Sequence, residues 1–274
     1  MRSRREKAER FRSLHQPGHP VVLVNAWDAI SARIIESLGF GAVATTSAGI
    51  AFLEGFPDGQ RIGRAEMLAG VARICRAVDV PVTADLEGGY GETLDDAIAT
   101  AEGAIEAGAI GLNFEDGSDD PERLIDARLQ AERIRAIRRV ADQHGVPLVI
   151  NARTDVFLNR VGGEGGRMDE TLERGRLYHA AGADCIFVPG VTDARSIEQL
   201  VRDIGAPLNI LVNATAPPLE EMKRLGVARV SLGARPMLSA LAAFRDVAIQ
   251  VRDVGTFSSM ANAMTHADAN ALFE

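Results

Sequence analysis

The chain has 274 residues, of which 46% are hydrophobic and 25% charged, and it carries a formal net charge of −8. That length holds one large α/β barrel or two small domains, with ample material for a core. The acidic balance, without a basic patch carrying interleaved aromatics, excludes a nucleic-acid backbone as partner, and no apolar run reaches the roughly 18 residues of a membrane-spanning helix.

The basic opening, MRSRREKAERFRS, has acidic and basic groups at helical spacing and predicts a solvated helix capping the floor of the fold. It lacks the apolar stretch of a secretory signal. Eight β-rich runs follow: VVLVNA (21–26), AVATTS (42–47), PVTADLE (81–87), IGLNFED (110–116), PLVINART (147–154), CIFVPG (185–190), LNILVN (208–213) and RVSLGA (229–234). Most precede a segment of helical apolar spacing, such as Ile30, Ile34, Ile35 and Leu38, or Met67, Val71, Ile74 and Val78. EAGAIGLNF, QHGVPLVI, AAGADCIF and RLGVARVSL share one refrain, a helix end, a glycine where a left-handed cap is needed, then a strand.

Alternation of this kind implies crossovers and a parallel sheet, and eight repeats in this length predict a TIM-type (β/α)8 barrel. No Gly-x-Gly-x-x-Gly follows the first run, and VGGEGGR (161–167) lacks the lysine and Ser/Thr of a phosphate loop, so it reads as a surface loop. With no Pro-, Ser- or Gly-rich linker, residues 1–274 read as a single barrel domain. Residues 257–274 read as a helical extension, able to dock on a neighbouring subunit or to pack back on its own barrel. Cys75 and Cys185 lie far apart in apolar segments and read as buried reduced thiols, as expected of a cytoplasmic chain.

Acidic residues and an arginine recur where the β-runs end. Asp85 and Glu87 close one run, Glu115 and Asp116 the next, Arg153 and Asp155 the third. In a parallel barrel these ends share the face where chemistry is done. Asp85 and Glu87 are expected on one side of an extended strand, beside Gly88, Gly89 and Gly91. Two like charges there repel unless a cation or proton lies between them, and with Glu115 they form an oxygen set suited to Mg²⁺. The alternative is that Asp85 begins a loop while Glu115 and Asp116 cap the following helix. Arg153, after an apolar strand, needs an anionic ligand or a structural partner in Asp155 or Glu115. Ser47, Ala48 and Gly49 form a small turn able to hold a carboxylate. Trp27 floors the pocket or packs at the rim, and Asn213 donates to an oxyanion or caps a turn. The five histidines show no metal spacing, and no Ser-His-Asp arrangement or nucleophile elbow is present.

Taken in order, residues 5–255 resemble the isocitrate lyase and phosphoenolpyruvate mutase superfamily. NAWDAISARIIESLGFGAVATTSAGIA is similar to the family's opening, with Trp27, Asp28 and the Ser47-Ala48-Gly49 carboxylate-binding turn. GFPDG resembles its Gly-x-Pro-Asp loop and puts Asp58 at the position that closes over the site. TADLEGGYG stands where the family has an Asp-x-Asp-x-Gly-[FY]-Gly metal motif, with Glu87 in place of the second aspartate. NFEDG and NARTDVF are similar to its Glu-Asp and Ala-Arg-Thr-Asp segments. The resemblance implies a Mg²⁺-dependent barrel enzyme, with Mn²⁺ the alternative ion, acting on 2-oxo acids or their relatives. It also implies a homo-oligomer, dimer or tetramer, built by exchange of the C-terminal helix.

The segment after Glu115, DGSDDPERLIDARLQ, lacks the Cys-Gly-His of isocitrate and methylisocitrate lyases and the lysine and asparagine typical of the mutases and phosphonopyruvate hydrolases. What remains suits cleavage or decarboxylation of a 2-oxo acid such as oxaloacetate through an enolate. In that reading Asp85, Glu87 and Glu115 hold the metal and its waters, Ser47, Ala48 and Gly49 orient the 1-carboxylate, and Arg153 neutralises enolate or leaving carboxylate. Asp58 and the 116–124 loop shut out water, and solvent or Asp58 protonates the enolate. The alternatives are a phosphonopyruvate hydrolase or phosphoenolpyruvate mutase, a methylisocitrate- or dimethylmalate-type carbon–carbon lyase with a base other than cysteine, and a non-catalytic barrel that binds an oxo acid.

Overall fold

The structure is a computed structural model and describes residues 3–118, 120 and 123–274. Among them run nine parallel strands: β1 (Val21–Leu23), β2 (Asn25–Ala26), β3 (Val43–Thr45), β4 (Val82–Asp85), β5 (Gly111–Glu115), β6 (Val149–Arg153), β7 (Cys185–Phe187), β8 (Leu208–Leu211) and β9 (Arg229–Ser231). Their order around the sheet is β1-β9-β8-β7-β6-β5-β4-β3-β2. β1 and β2 are one strand interrupted at Val24; the first piece pairs with β9 and the second with β3, which closes an eightfold ring. Each of the eight runs marked in the sequence supplies one position of that ring. The (β/α)8 barrel is therefore the fold of this chain.

Eleven α-helices accompany the strands among the described residues. Two show how the sequence sets them. In α5 (Leu94–Ala107), Thr93 and Asp96 form a capping box, Ala97, Ala101, Ala104 and Ile105 bury one stripe, and Gly108 ends the helix in the left-handed region at φ 100°. In α8 (Ala194–Ile204), Asp193 caps the start, Ile197, Leu200 and Ile204 face inward, and Gly205 ends it in the same way.

The barrel has two interiors. Outside the ring an apolar sleeve, including Leu112, Phe114, Ile150, Ile186, Leu208 and Ile210, packs between strands and helices. The lumen is polar: Thr83, Asn113, Asn151, Asn209, Arg229 and Ser231 are all buried. Arg229 on β9 donates to Asn113 on β5 at 3.1 Å, and these strands are not neighbours in the ring, so the bond spans the lumen. The helix expected under the barrel is α1 (Arg4–Ser13), opened by a Ser3–Glu6 capping box. Its Phe11 is wholly buried at the floor, and a side chain added at Gly111 would meet its ring edge.

Residues 257–274 differ from the single helix the sequence suggested. α10 (Arg235–Asp253) ends before Gly255, a short 3-10 turn spans Ser258–Met260, and a fresh Thr265–Asp268 capping box opens α11 (His266–Ala271). Of α10 only Met237 is buried, while Leu238, Leu241, Phe244 and Ile249 are exposed.

Candidate active site at the barrel mouth

Asp85 is the last residue of β4, and both its carboxylate oxygens are held. Oδ2 accepts from the Ser47 amide at 3.1 Å and the Ser47 hydroxyl at 2.9 Å, and Oδ1 accepts from Asn113 Nδ2 at 3.1 Å. Ser47 opens α3 (Ser47–Leu53), whose N-cap Thr46 takes the Gly49 amide on its hydroxyl at 3.4 Å. The Ser47-Ala48-Gly49 segment is thus the first turn of a helix, with both Ser47 donors resting on Asp85. A side chain at Gly49 would lie 2.6 Å from Thr46 Cγ2 and 2.7 Å from Trp27 Cβ, so Trp27 backs the turn from behind.

Glu87 reaches the mouth by a different route from the one expected. The strand ends at Asp85, and Glu87 takes a left-handed backbone at φ 50°, as Tyr90 does at φ 59°. Alternation along a strand therefore does not place these two carboxylates; a tight turn does. Two arginines pin that turn from below. Arg133, buried, donates to the carbonyls of Gly88 and Gly91 at 2.6 and 2.5 Å, and Arg64 donates to those of Gly89 and Tyr90 at 3.3 and 3.0 Å. Glu87 Oε2 accepts from the Gln60 amide at 2.8 Å, and Gln60 Oε1 accepts from the Tyr90 amide at 2.6 Å.

β5 and β6 pair Glu115 with Arg153 in register, and the side chains meet: Arg153 Nη1 lies 2.6 Å from Glu115 Oε2. The same guanidinium makes a two-pronged contact to Asp155, Nε to Oδ1 at 2.6 Å and Nη2 to Oδ2 at 2.9 Å. Both acidic partners named from the sequence are therefore used at once. Beside them Asp116 is wholly buried and accepts from Arg174 at 3.1 Å, the Tyr178 hydroxyl at 2.7 Å and the Asp155 amide at 2.9 Å. Arg174 also donates to the Ile125 carbonyl at 2.9 Å, so it ties both stems of the segment expected to close over the site. Asp119, Pro121 and Glu122 of that segment lie outside the described residues.

These groups converge on a hollow of about 430 Å³ lined by Ser47, Asp58, Glu87, Glu115, Arg153 and Asp155, with Arg61 at its outer lip. A narrower recess of about 190 Å³, reaching Asp85 and Asn113, shares Ser47, Asp58 and Arg153 with it. Five carboxylates thus surround the Arg153 guanidinium. Burial, then the charges of Asp85 and Asp58, push the Glu87 carboxyl up to about 7. Desolvation, with Asp85 in range, raises Asp58, and burial raises Glu115 against the opposing pull of Arg153. Burial works against the Arg153 charge, but Asp155 and Glu115 outweigh it and hold the proton more tightly than usual.

Asp85, Glu87 and Glu115 share this mouth without closing into a three-carboxylate cage. Among the described residues no three His, Cys, Asp or Glu side chains converge on one point that would hold a metal ion. The donors are all hard oxygens, and the burial that raises Glu87, with the charges of Asp85 and Asp58 adding to it, is a cost a dication would relieve. The set fits an ion keeping most of its waters, as Mg²⁺ does, and does not fit a cage of protein ligands. Asn213 takes the turn-capping role: its Oδ1 accepts from the Thr215 amide at 2.9 Å and hydroxyl at 2.8 Å, and it does not line the hollow. Both thiols are free, and burial pushes each up to about 12. Sequence reasoning did not pick out Gln60, Asn113 or Arg229. A signal existed for Asn113, which stands two residues before Glu115 on the lumen side of the same strand.

Carboxylates and one arginine gathered at the strand ends of a parallel barrel stand at the face where enzymes of this fold carry their active sites. The profile of the phosphoenolpyruvate phosphomutase family matches residues 11–252, and the chain belongs to that family, within the isocitrate lyase and phosphoenolpyruvate mutase superfamily. A Mycobacterium tuberculosis protein without assigned activity is 36% identical, over 89% of this chain and 89% of its own. A 2-methylisocitrate lyase of Halalkalibacterium halodurans is 30% identical over 78% of this chain and 69% of its own. Oxaloacetate decarboxylase 2 of Pseudomonas fluorescens is 29% identical over 80% and 75%. A crystal structure from Burkholderia cenocepacia, provisionally assigned as a phosphonomutase, is 42% identical over 90% of this chain and 99% of that one, with a TM-score of 0.86. Among the described residues no helix is long and apolar enough to cross a membrane.

Proposed function

We propose that this protein is a Mg²⁺-dependent carbon–carbon lyase that decarboxylates an oxaloacetate-like 2-oxo acid. The observation that carries the reading is the hollow itself, in which Arg153 is braced by Glu115 and Asp155 while Asp85, Glu87 and Asp58 stand around it. The family membership and the similarity to an oxaloacetate decarboxylase support it.

Ser47 and the turn behind it orient the substrate's 1-carboxylate, exchanging the present hydrogen bonds to Asp85 for bonds to the ligand. The C3–C4 bond breaks, carbon dioxide leaves, and the electron pair stays on the three-carbon fragment as an enolate. Arg153, held charged and fixed at three nitrogens, offers its field to that developing charge without having to reorganise. Asp85, Glu87 and Glu115 would hold Mg²⁺ and its waters, and the bound ion supplies Lewis acidity toward the substrate oxygens. Asp58, at the edge of the hollow, returns a proton to C3, giving pyruvate. The exposed apolar face of α10 supports assembly as a homo-oligomer, dimer or tetramer, by exchange of the C-terminal helix.

A second reading rests on the similarity to 2-methylisocitrate lyase: the same hollow cleaving a substituted malate to two acids. A panel of oxaloacetate, phosphonopyruvate, methylisocitrate and dimethylmalate, assayed with Mg²⁺ and with EDTA, separates these. The expected result is EDTA-sensitive pyruvate formation from oxaloacetate, falling at least about 100-fold in Asp85→Ala and in Arg153→Ala. Unchanged rates in both variants would remove the proposed site, and phosphate release from phosphonopyruvate alone would move the activity to phosphorus–carbon chemistry.

A further inference from the structure

Arg229 is the most unusual residue in the lumen. It is wholly buried, and among the described residues no carboxylate touches it. Its Nη1 has no partner, and its guanidinium lies 6.0 Å from the Phe11 ring centre. Burial draws it down to about 10. An unpaired buried charge is costly, so the fold retains it against a gradient.

What Arg229 touches suggests a reason. Asn113 Oδ1 accepts two hydrogen bonds, from Arg229 Nη2 at 3.1 Å and from Asn151 Nδ2 at 2.7 Å. With its oxygen so engaged, the amide must turn its Nδ2 the other way, where it donates to Asp85 Oδ1 at 3.1 Å. Asn151 alone cannot impose this, because an asparagine amide can flip and present either a donor or an acceptor. A guanidinium only donates. If Asn113 flipped, its NH₂ would face Arg229 and its carbonyl would face the Asp85 carboxylate, and both contacts would be repulsive.

We propose that Arg229 is a positioning residue, which fixes the Asn113 amide through its permanent donor character and thereby sets the orientation of Asp85. Asp85 Oδ2 is held by Ser47, so Asn113 is the contact that determines where Oδ1 points. This rests on the reading of Asp85 as a metal-holding carboxylate.

The test uses the intact protein and Mn²⁺ as probe, with free Mn²⁺ counted by its paramagnetic resonance signal. R229M is expected to weaken Mn²⁺ binding about 10- to 100-fold, the usual cost of losing a group that orients a metal-binding carboxylate. R229K, which keeps a donor-only cation, should return to within about threefold of the parent protein, a rescue that lumen filling by methionine would not need. N113A should weaken binding as R229M does, and R229M should add nothing in the N113A background. Should R229M fail to fold, N113A and R229K carry the test. Unchanged Mn²⁺ affinity in folded R229M or N113A, with D85A losing it, overturns the relay alone. Unchanged affinity in D85A overturns the metal reading beneath it.

Discussion

Replacing Arg174 with methionine tests the buried network behind Glu115. The guanidinium is mostly buried and donates to Asp116, to the Ile125 carbonyl, and to Glu170 at 2.7 Å. Its loss leaves Asp116 wholly buried with the Tyr178 hydroxyl and the Asp155 amide as its remaining donors. Breaking a buried pair costs about 3–5 kcal/mol, and the two surviving donors favour the lower end, about 3 kcal/mol. At roughly 2–4 °C per kcal/mol for a domain of this size, the midpoint should drop by about 6–12 °C. The partner change Asp116→Asn removes the stranded charge, so the double variant should recover at least about 1 kcal/mol relative to the sum of the single changes. Urea denaturation of the parent, both single variants and the double variant measures this. A cost below about 1 kcal/mol for Arg174→Met, or strict additivity, would refute the reading of Arg174 and Asp116 as a coupled buried pair.

Phe11→Ala opens the barrel floor where the ring is wholly buried, and should cost about 3–5 kcal/mol by chemical denaturation; under 1 kcal/mol would mean the plug does not support the ring. His15 stacks edge-on against Phe11, and burial, with Arg229 adding to it, pulls its pKa from 6.5 to about 3. Below 6.5 the unfolded chain takes up a proton that the folded chain refuses, so this contribution to stability falls with pH by about 1.4 kcal/mol per unit until the pH nears 3. His15→Phe should flatten the stability profile between pH 6.5 and 5 by about 2 kcal/mol, and identical profiles would contradict the assignment. Phe244→Glu puts a charge on the exposed face of α10 and should lower the mass found by light scattering, whereas an unaltered mass would exclude that face from the subunit contact.

The ring of strands was readable from the chain because each β-run ended in its own punctuation and several helices ended at a glycine, as at Gly108, Gly145, Gly182, Gly205 and Gly226. Glu115 and Arg153 were readable as neighbours for the same reason: two apolar runs, each ending in charge, fall into register side by side. The placement of Glu87 was not. Strand alternation predicts the correct side of the barrel for it, but the backbone turns left-handed there, held by carbonyl contacts to Arg64 and Arg133 from helices distant in sequence. The same distance hid Arg229. Nothing local to RVSLGA signals that its arginine spans the lumen to an asparagine on β5, since lumen-facing polar residues produce the same alternation as solvent-facing ones. The turn-capping alternative for Asn213 was legible for the opposite reason, because its partner, Thr215, is only two residues away.

The interrupted strand at Val24 bears on how the molecule is made. The seam of the cylinder joins β1, near the start of the chain, to β9, near its finish, through three residue pairs. During synthesis the earlier strands can assemble only as an open, curling sheet, with the first one waiting for a mate that emerges last. Until then the ring stays open at that seam, and the lumen lacks Arg229, which arrives on β9 itself. The finished cylinder therefore has one late weld, and amide exchange there should report opening of the ring at its seam.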